Sequence, residues 1–137
     1  MANSLVKLKA VLRLHLLGRP EIQAKVEGRV YGHHLDDDEL GTVPCPLIVL
    51  EIKSGSAMYN RVVQTIGVDV YVWSKRGDTE CAEVYDLVYA AFQAECVGSP
   101  ELGVSYLGNE TRRPMEGKSP QLRAWWMRGT FAFSGVT

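Results

Sequence analysis

This chain of 137 residues encodes an α+β domain. Three observations point there. An amphipathic helical stretch opens the chain, and a second lies near residue 80. Between and after them run segments with a hydrophobic period of two. The expectation is a largely antiparallel sheet of about five strands with two main helices packed on it, in the order α–β–β–β–α–β–β. One domain spans residues 1–137, a length that suits a single core.

The first helix is expected over residues 4–17. Leu5, Leu8, Leu12 and Leu16 recur at helical spacing, and Val11 widens the stripe. Asn3 or Ser4 caps its start, and Gly18 with Pro20 ends it. Residues 20–26 add a further helical turn, and "GRVYG" at 28–32 is a short strand. Residues 33–45 read as a polar loop ending in "VPCP", where Pro44 and Pro46 fit a strand entry because each lacks a backbone donor. Leu47 to Lys53 is an apolar strand, and "SGSAMYN" at 54–60 is its tip.

The next strand, residues 62–74, is the cleanest. Ile66, Val68, Val70 and Val72 alternate with Thr65, Gly67, Asp69, Tyr71 and Trp73. Trp73 therefore faces away from the valines, as an interface or second-layer residue. Asp78 suits the N-cap of a helix running to about Cys96, with Cys81, Val84, Tyr85, Val88, Phe92 and Cys96 as its buried stripe. Two strands, 102–112 and 121–134, flank "RPMEGKSPQ". Trp125, Met127, Phe131 and Phe133 share a face of the last, with Gly129 read as a bulge.

Composition narrows the function classes. Fifteen basic and 16 acidic residues give a net charge of -1, so no broad basic field draws the chain to nucleic acid. No run of eighteen apolar residues exists, so no membrane span is expected. Three cysteines with no CxxC spacing, Cys45, Cys81 and Cys96, fit reduced thiols.

One stretch suggests chemistry. "IVLEIKSG" ends an apolar strand in Glu51-x-Lys53, downstream of "HHLDDDE". In one class of metal-dependent nucleases an aspartate and the glutamate bind a divalent ion, and the lysine stabilises charge on the phosphate. Asp36, Asp37 or Asp38 would supply the aspartate. Glu51 and Lys53 do share a strand face. The aspartates, however, lie in a loop beyond two prolines, and Glu-x-Lys is common at strand ends. Adjacent histidines on an extended chain point apart and rarely share an ion. The basic, aromatic end of the chain (Arg112, Arg113, Arg123 and Arg128 with Trp125 and Trp126) fits a protein contact better than a base contact.

As a whole the layout resembles the tail-terminator or tail-completion proteins of long-tailed phages and gene transfer agents. The resemblance rests on the amphipathic helix, "EGRVYG", "VPCPLIVLEI", "TIGVDVYVWSKRGDTECAEVYDLVYAAF" and the closing "AWWMRGTFAF", across residues 4–135. It implies a structural virion protein of the tail neck, assembled in the bacterial cytoplasm. Such a protein forms a ring, usually a hexamer, at the head-proximal end of the tail tube. The ring stops tube polymerisation and meets the head connector or stopper protein, and DNA only passes through its lumen. No reaction, cofactor or membrane is implied. On this reading Asp36, Asp37, Asp38, Glu39, Glu51, Lys53, Tyr59, Arg61, Trp73, Arg112, Arg113, Trp126 and Arg128 are candidate interface or lumen residues. The nuclease is the alternative.

Overall fold

A computed structural model describes residues 3–57, 63–99 and 104–136. The elements are α1 (Asn3–Leu17), α2 (Pro20–Val26), β1 (Val30–Tyr31), α3 (Asp37–Thr42), β2 (Leu47–Ala57), β3 (Val63–Ser74), α4 (Asp78–Phe92), β4 (Cys96–Ser99), β5 (Val104–Ser119) and β6 (Ala124–Val136). The described strands form one six-stranded sheet in the order β1-β2-β3-β6-β5-β4. The sheet is mixed: β1 runs parallel to β2, and the other pairs are antiparallel. The expected strand number and element order are corrected accordingly. The helix expected to run to about Cys96 ends at Phe92, Cys96 opens β4 and is exposed rather than part of a buried stripe, and α3 lies within the segment expected as loop.

The helical stripes fall where the periodicity puts them. Leu8, Val11, Leu12 and Leu16 of α1 are fully or nearly fully buried. They join Ile22 and Val26 of α2 and Val84, Tyr85, Val88 and Phe92 of α4 over one face of the sheet. That face supplies Ile48 and Leu50, the four alternating residues Ile66 to Val72, and Phe131 and Phe133. Phe92 stands edge-on to Phe131 and Phe133 at 5.5 and 5.0 Å, within the favoured range for aromatic pairs. Leu5 lies among residues whose side chains are not described.

β2 is apolar on both faces because it is covered on both. Ile48 and Leu50 face the main core, while Leu47 and Val49 join Leu35 and Leu40 in a second, smaller cluster. α3 forms the lid of that cluster. Its N-cap is Asp36, whose carboxylate accepts from the Glu39 backbone N–H at 2.8 Å.

Two local expectations change. Gly77, not Asp78, is the N-cap of α4, at φ 154, a conformation that favours glycine. The turn before it is organised by buried Ser74, whose hydroxyl donates to Glu80 at 2.7 Å and accepts from the Arg76 N–H at 3.1 Å. Gly129 is no bulge, since β6 pairs with β3 in unbroken register from Trp125 to Val136. It is instead where the Tyr85 side chain of α4 meets the sheet. A Cβ there would lie 1.8 Å from the Tyr85 hydroxyl oxygen, so only glycine admits that ring. The irregularities fall in β5, between Glu110 and Met115, and in β2 at Lys53.

Candidate functional site

Of the residues singled out from the sequence, Glu51, Trp73, Arg112, Trp126 and Arg128 lie on the sheet's second face. Register arranges them in three rows across β2, β3, β6 and β5. Glu51, Asp69, Thr130 and Arg112 form the first. Val49, Tyr71, Arg128 and Met115 form the second, and Leu47, Trp73, Trp126 and Gly117 the third. Period-two alternation in β2, β3 and β6 puts their members on one side, and in β5 the irregularity between Arg112 and Met115 keeps both opposite that face's residues.

The first row explains Glu51-x-Lys53. Glu51 and Asp69 sit directly opposite each other, and like charges so placed repel. Lys53, at the β2 irregularity, brings its ammonium to 3.4 Å from Asp69. Asp69 is 2% exposed and also accepts from the Thr130 hydroxyl at 2.6 Å. Glu51 is held separately by His34 Nδ1 at 2.8 Å. Lys53 is thus the counter-charge of a buried carboxylate. In the second row the Arg128 guanidinium lies 5.9 Å from the Tyr71 ring centroid and reaches the Met115 sulfur at 3.3 Å. In the third, the Trp126 ring lies over Gly117, where a Cβ would come within 2.4 Å of it.

Beside these rows His34, Leu35, Asp37, Leu40, Val49, Glu51, Tyr71 and Trp73 line a pocket of about 130 Å³. Its floor is apolar and aromatic, and its rim holds two carboxylates and an imidazole. Trp73 belongs to the second cluster under α3, which makes it a second-layer residue.

The nuclease constellation is not assembled. Asp36 is occupied as a helix cap, and Asp37, Asp38 and Glu39 form the first turn of α3 rather than lying on a strand paired with β2. Lys53 faces Asp69. Among the described residues no three His, Cys, Asp or Glu side chains are grouped to hold a metal ion. No helix among them is long and apolar enough to cross a membrane.

Tyr59 and Arg61 lie outside the described residues, as does the side chain of Arg113, whose backbone lies in β5. Arg112 is exposed on β5. Trp125 is on the opposite face from Trp126, with the Lys118 ammonium 4.7 Å above its ring. Burial pushes the Cys81 thiol up to about 12, reinforced by the nearby Glu80 carboxylate. It pushes the thiol of Cys45 up as well. Cys96 is exposed. Sequence reasoning gave no role to Asp69, Thr130 or Met115 and weighed His34 only as a metal ligand. Only Asp69 left a trace, a charged residue within an otherwise apolar strand.

No protein-family model matches the chain, and no curated protein matches it in sequence. Among solved structures, a chain described as "Virion of native gene transfer agent (GTA) particle" has a similar fold, with a TM-score of 0.68 at 13% identity. The alignment covers 95% of each chain. At that identity the likeness is one of fold.

Proposed function

We propose that this chain is a structural subunit of a phage-like or gene-transfer-agent virion, acting at the tail neck. One observation carries the proposal: its fold matches a chain of such a particle from end to end, with a TM-score of 0.68. The order of sequence segments that resembles tail terminators supports the same reading independently.

In this reading residues 1–137 form one tail-terminator-like domain. Copies assemble into a ring, a hexamer by analogy with the family, on the head-proximal end of the tail tube. The ring stops addition of tube subunits and offers its other side to the head connector. Its role is steric. It works in the virion after assembly in the host cytoplasm, with DNA passing through the lumen. A net charge of -1 suits such a channel, because phosphate contacts accumulate rapidly and would hold DNA in place. Glu51 and Lys53 then serve the sheet and its interfaces.

Deleting the gene tests this. The expected phenotype is filled heads beside abnormally long, unattached tail tubes, with joining restored when the protein is supplied in trans. Tails of normal length joined to heads, with a defect confined to DNA processing, would reject capping and favour the nuclease.

A further inference from the structure

The sheet has two open stretches of strand edge, and they carry opposite charge. β1 covers β2 only at Ile48 and Val49, so among the described residues the outer edge of β2 is unpaired from Leu50 to Ala57. β4 covers β5 only from Val104 to Leu107. Beyond the contacts of Gly108 and Glu110 with the end of α4, the outer edge of β5 is unpaired among the described residues from Thr111 to Ser119. Unpaired edges of this length template further pairing unless covered.

Their surroundings differ in sign. Beside the β2 edge stand Glu51 and the first turn of α3, with Asp36, Asp37, Asp38 and Glu39 exposed. Lys53, the cation in that strand, is already bound to Asp69. The open β5 stretch contains Arg112, Arg113 and Lys118 against one acid, Glu116. Arg112 and Met115, the latter 56% exposed, lie on the same sheet face as Glu51 and the pocket beside it.

We infer that the β5 edge of one copy pairs with the β2 edge of the next, bringing a net-basic strand edge to an acid-flanked one. This rests on the ring reading and names its contact surface. Direction supports it. Successive antiparallel pairings across β2, β3, β6 and β5 leave β5 running opposite to β2. Copies of the same orientation, as in a ring, therefore meet as an antiparallel pair, and the second faces of their sheets become continuous. The contact is heterologous, the type that closes into rings. The two open stretches lie at opposite ends along the strands, so paired copies are staggered. A closed set then tilts its strands against the ring axis, as closure of a sheet requires. Main-chain bonds supply the pairing, and the charges set register and exclude like-to-like contacts.

Charge reversal tests this, read by sedimentation of the full chain at low ionic strength. Asp37→Lys with Asp38→Lys makes both ends of the molecule positive, and Arg112→Glu with Lys118→Glu makes both negative. Each double variant alone should self-associate at least about tenfold more weakly than the wild type, a loss of about 1.4 kcal/mol. An equimolar mixture should regain association, because every contact between unlike copies is complementary. One chain carrying all four changes should regain it too. Asp37→Asn with Asp38→Asn should fall between, which guards against misfolding of the lysine variant. A control reversal on the helical side, Glu21→Lys with Glu83→Lys, should change nothing. Reversals without effect, a mixture that stays apart, or a wild type that remains monomeric at its highest soluble concentration would overturn the contact. Rings that cap tubes yet ignore the reversals would leave the capping role standing and reject only this surface. Rings that respond to the reversals but never cap tubes would do the opposite.

Discussion

Gly129→Ala is a change of one methyl group with a large expected cost. Gly129 is buried in β6, directly under the Tyr85 ring of α4. An alanine Cβ would lie within 2.7 Å of the Tyr85 hydroxyl oxygen and two of its ring carbons. The ring must move, and Tyr85, 2% exposed, has no free space to take. Overpacking of this kind costs about 1–3 kcal/mol. Moving the ring also breaks the 2.6 Å bond in which the Tyr85 hydroxyl donates to Glu110. A hydrogen bond to a charged group contributes about 1.5–3 kcal/mol. The combined loss is about 2.5–6 kcal/mol. At about 2.1 cal/mol/K of unfolding entropy per residue, a chain of 137 residues loses about 3.5 °C in Tm per kcal/mol. Thermal unfolding followed by circular dichroism should therefore show a drop of about 9–21 °C. A double-mutant cycle isolates the cause. Tyr85→Ala alone costs about 3–5 kcal/mol by leaving a cavity. In that background Gly129→Ala should be neutral or slightly stabilising, because the clash is gone and alanine is the better strand residue. A neutral Gly129→Ala in the wild type, or equal losses in both backgrounds, would refute the close approach.

Val70→Ala should lower stability by about 1–3 kcal/mol in a urea titration, since Val70 is fully buried in the main core. Trp73→Ala should loosen α3, seen as faster amide exchange over residues 37–42, while the main core keeps its protection. Between about pH 9 and 12 stability should fall as pH rises, because native Cys81 keeps its proton while the unfolded thiol loses it. Cys81→Ala should flatten that slope, and iodoacetamide should modify Cys96 before Cys81. Magnesium or manganese should leave Tm unchanged, whereas a specific site at a hundredfold excess over Kd would add about 2.7 kcal/mol. An upshift abolished by Glu51→Ala and accompanied by DNA cleavage would revive the nuclease.

Long amphipathic elements were legible because many residues repeat one message. The stripes of α1 and α4 and the alternation in β3 each rest on four or more positions. α3 was missed because it buries a single residue, Leu40. Its signal was present in the spacing Asp36-x-x-Glu39, a capping pattern hidden by the surrounding acids. β4 was missed because the helix before it ends at Phe92, with Ala94 at φ 55 turning the chain, where no glycine announces a stop. β5 runs further than expected because an irregular edge strand tolerates Pro114. The ion pair of Lys53 was not legible for a different reason. Its partner Asp69 is on the next strand, and pairing across strands depends on a register that one strand's sequence does not specify.

The central claim is that the protein caps a tube. Purified tail tube protein, polymerising with and without this chain, tests it by electron microscopy. Added protein should appear as a ring at one end of each tube, and mean tube length should fall as its concentration rises. Tubes that lengthen at the same rate with both ends bare, at every concentration, would contradict the account.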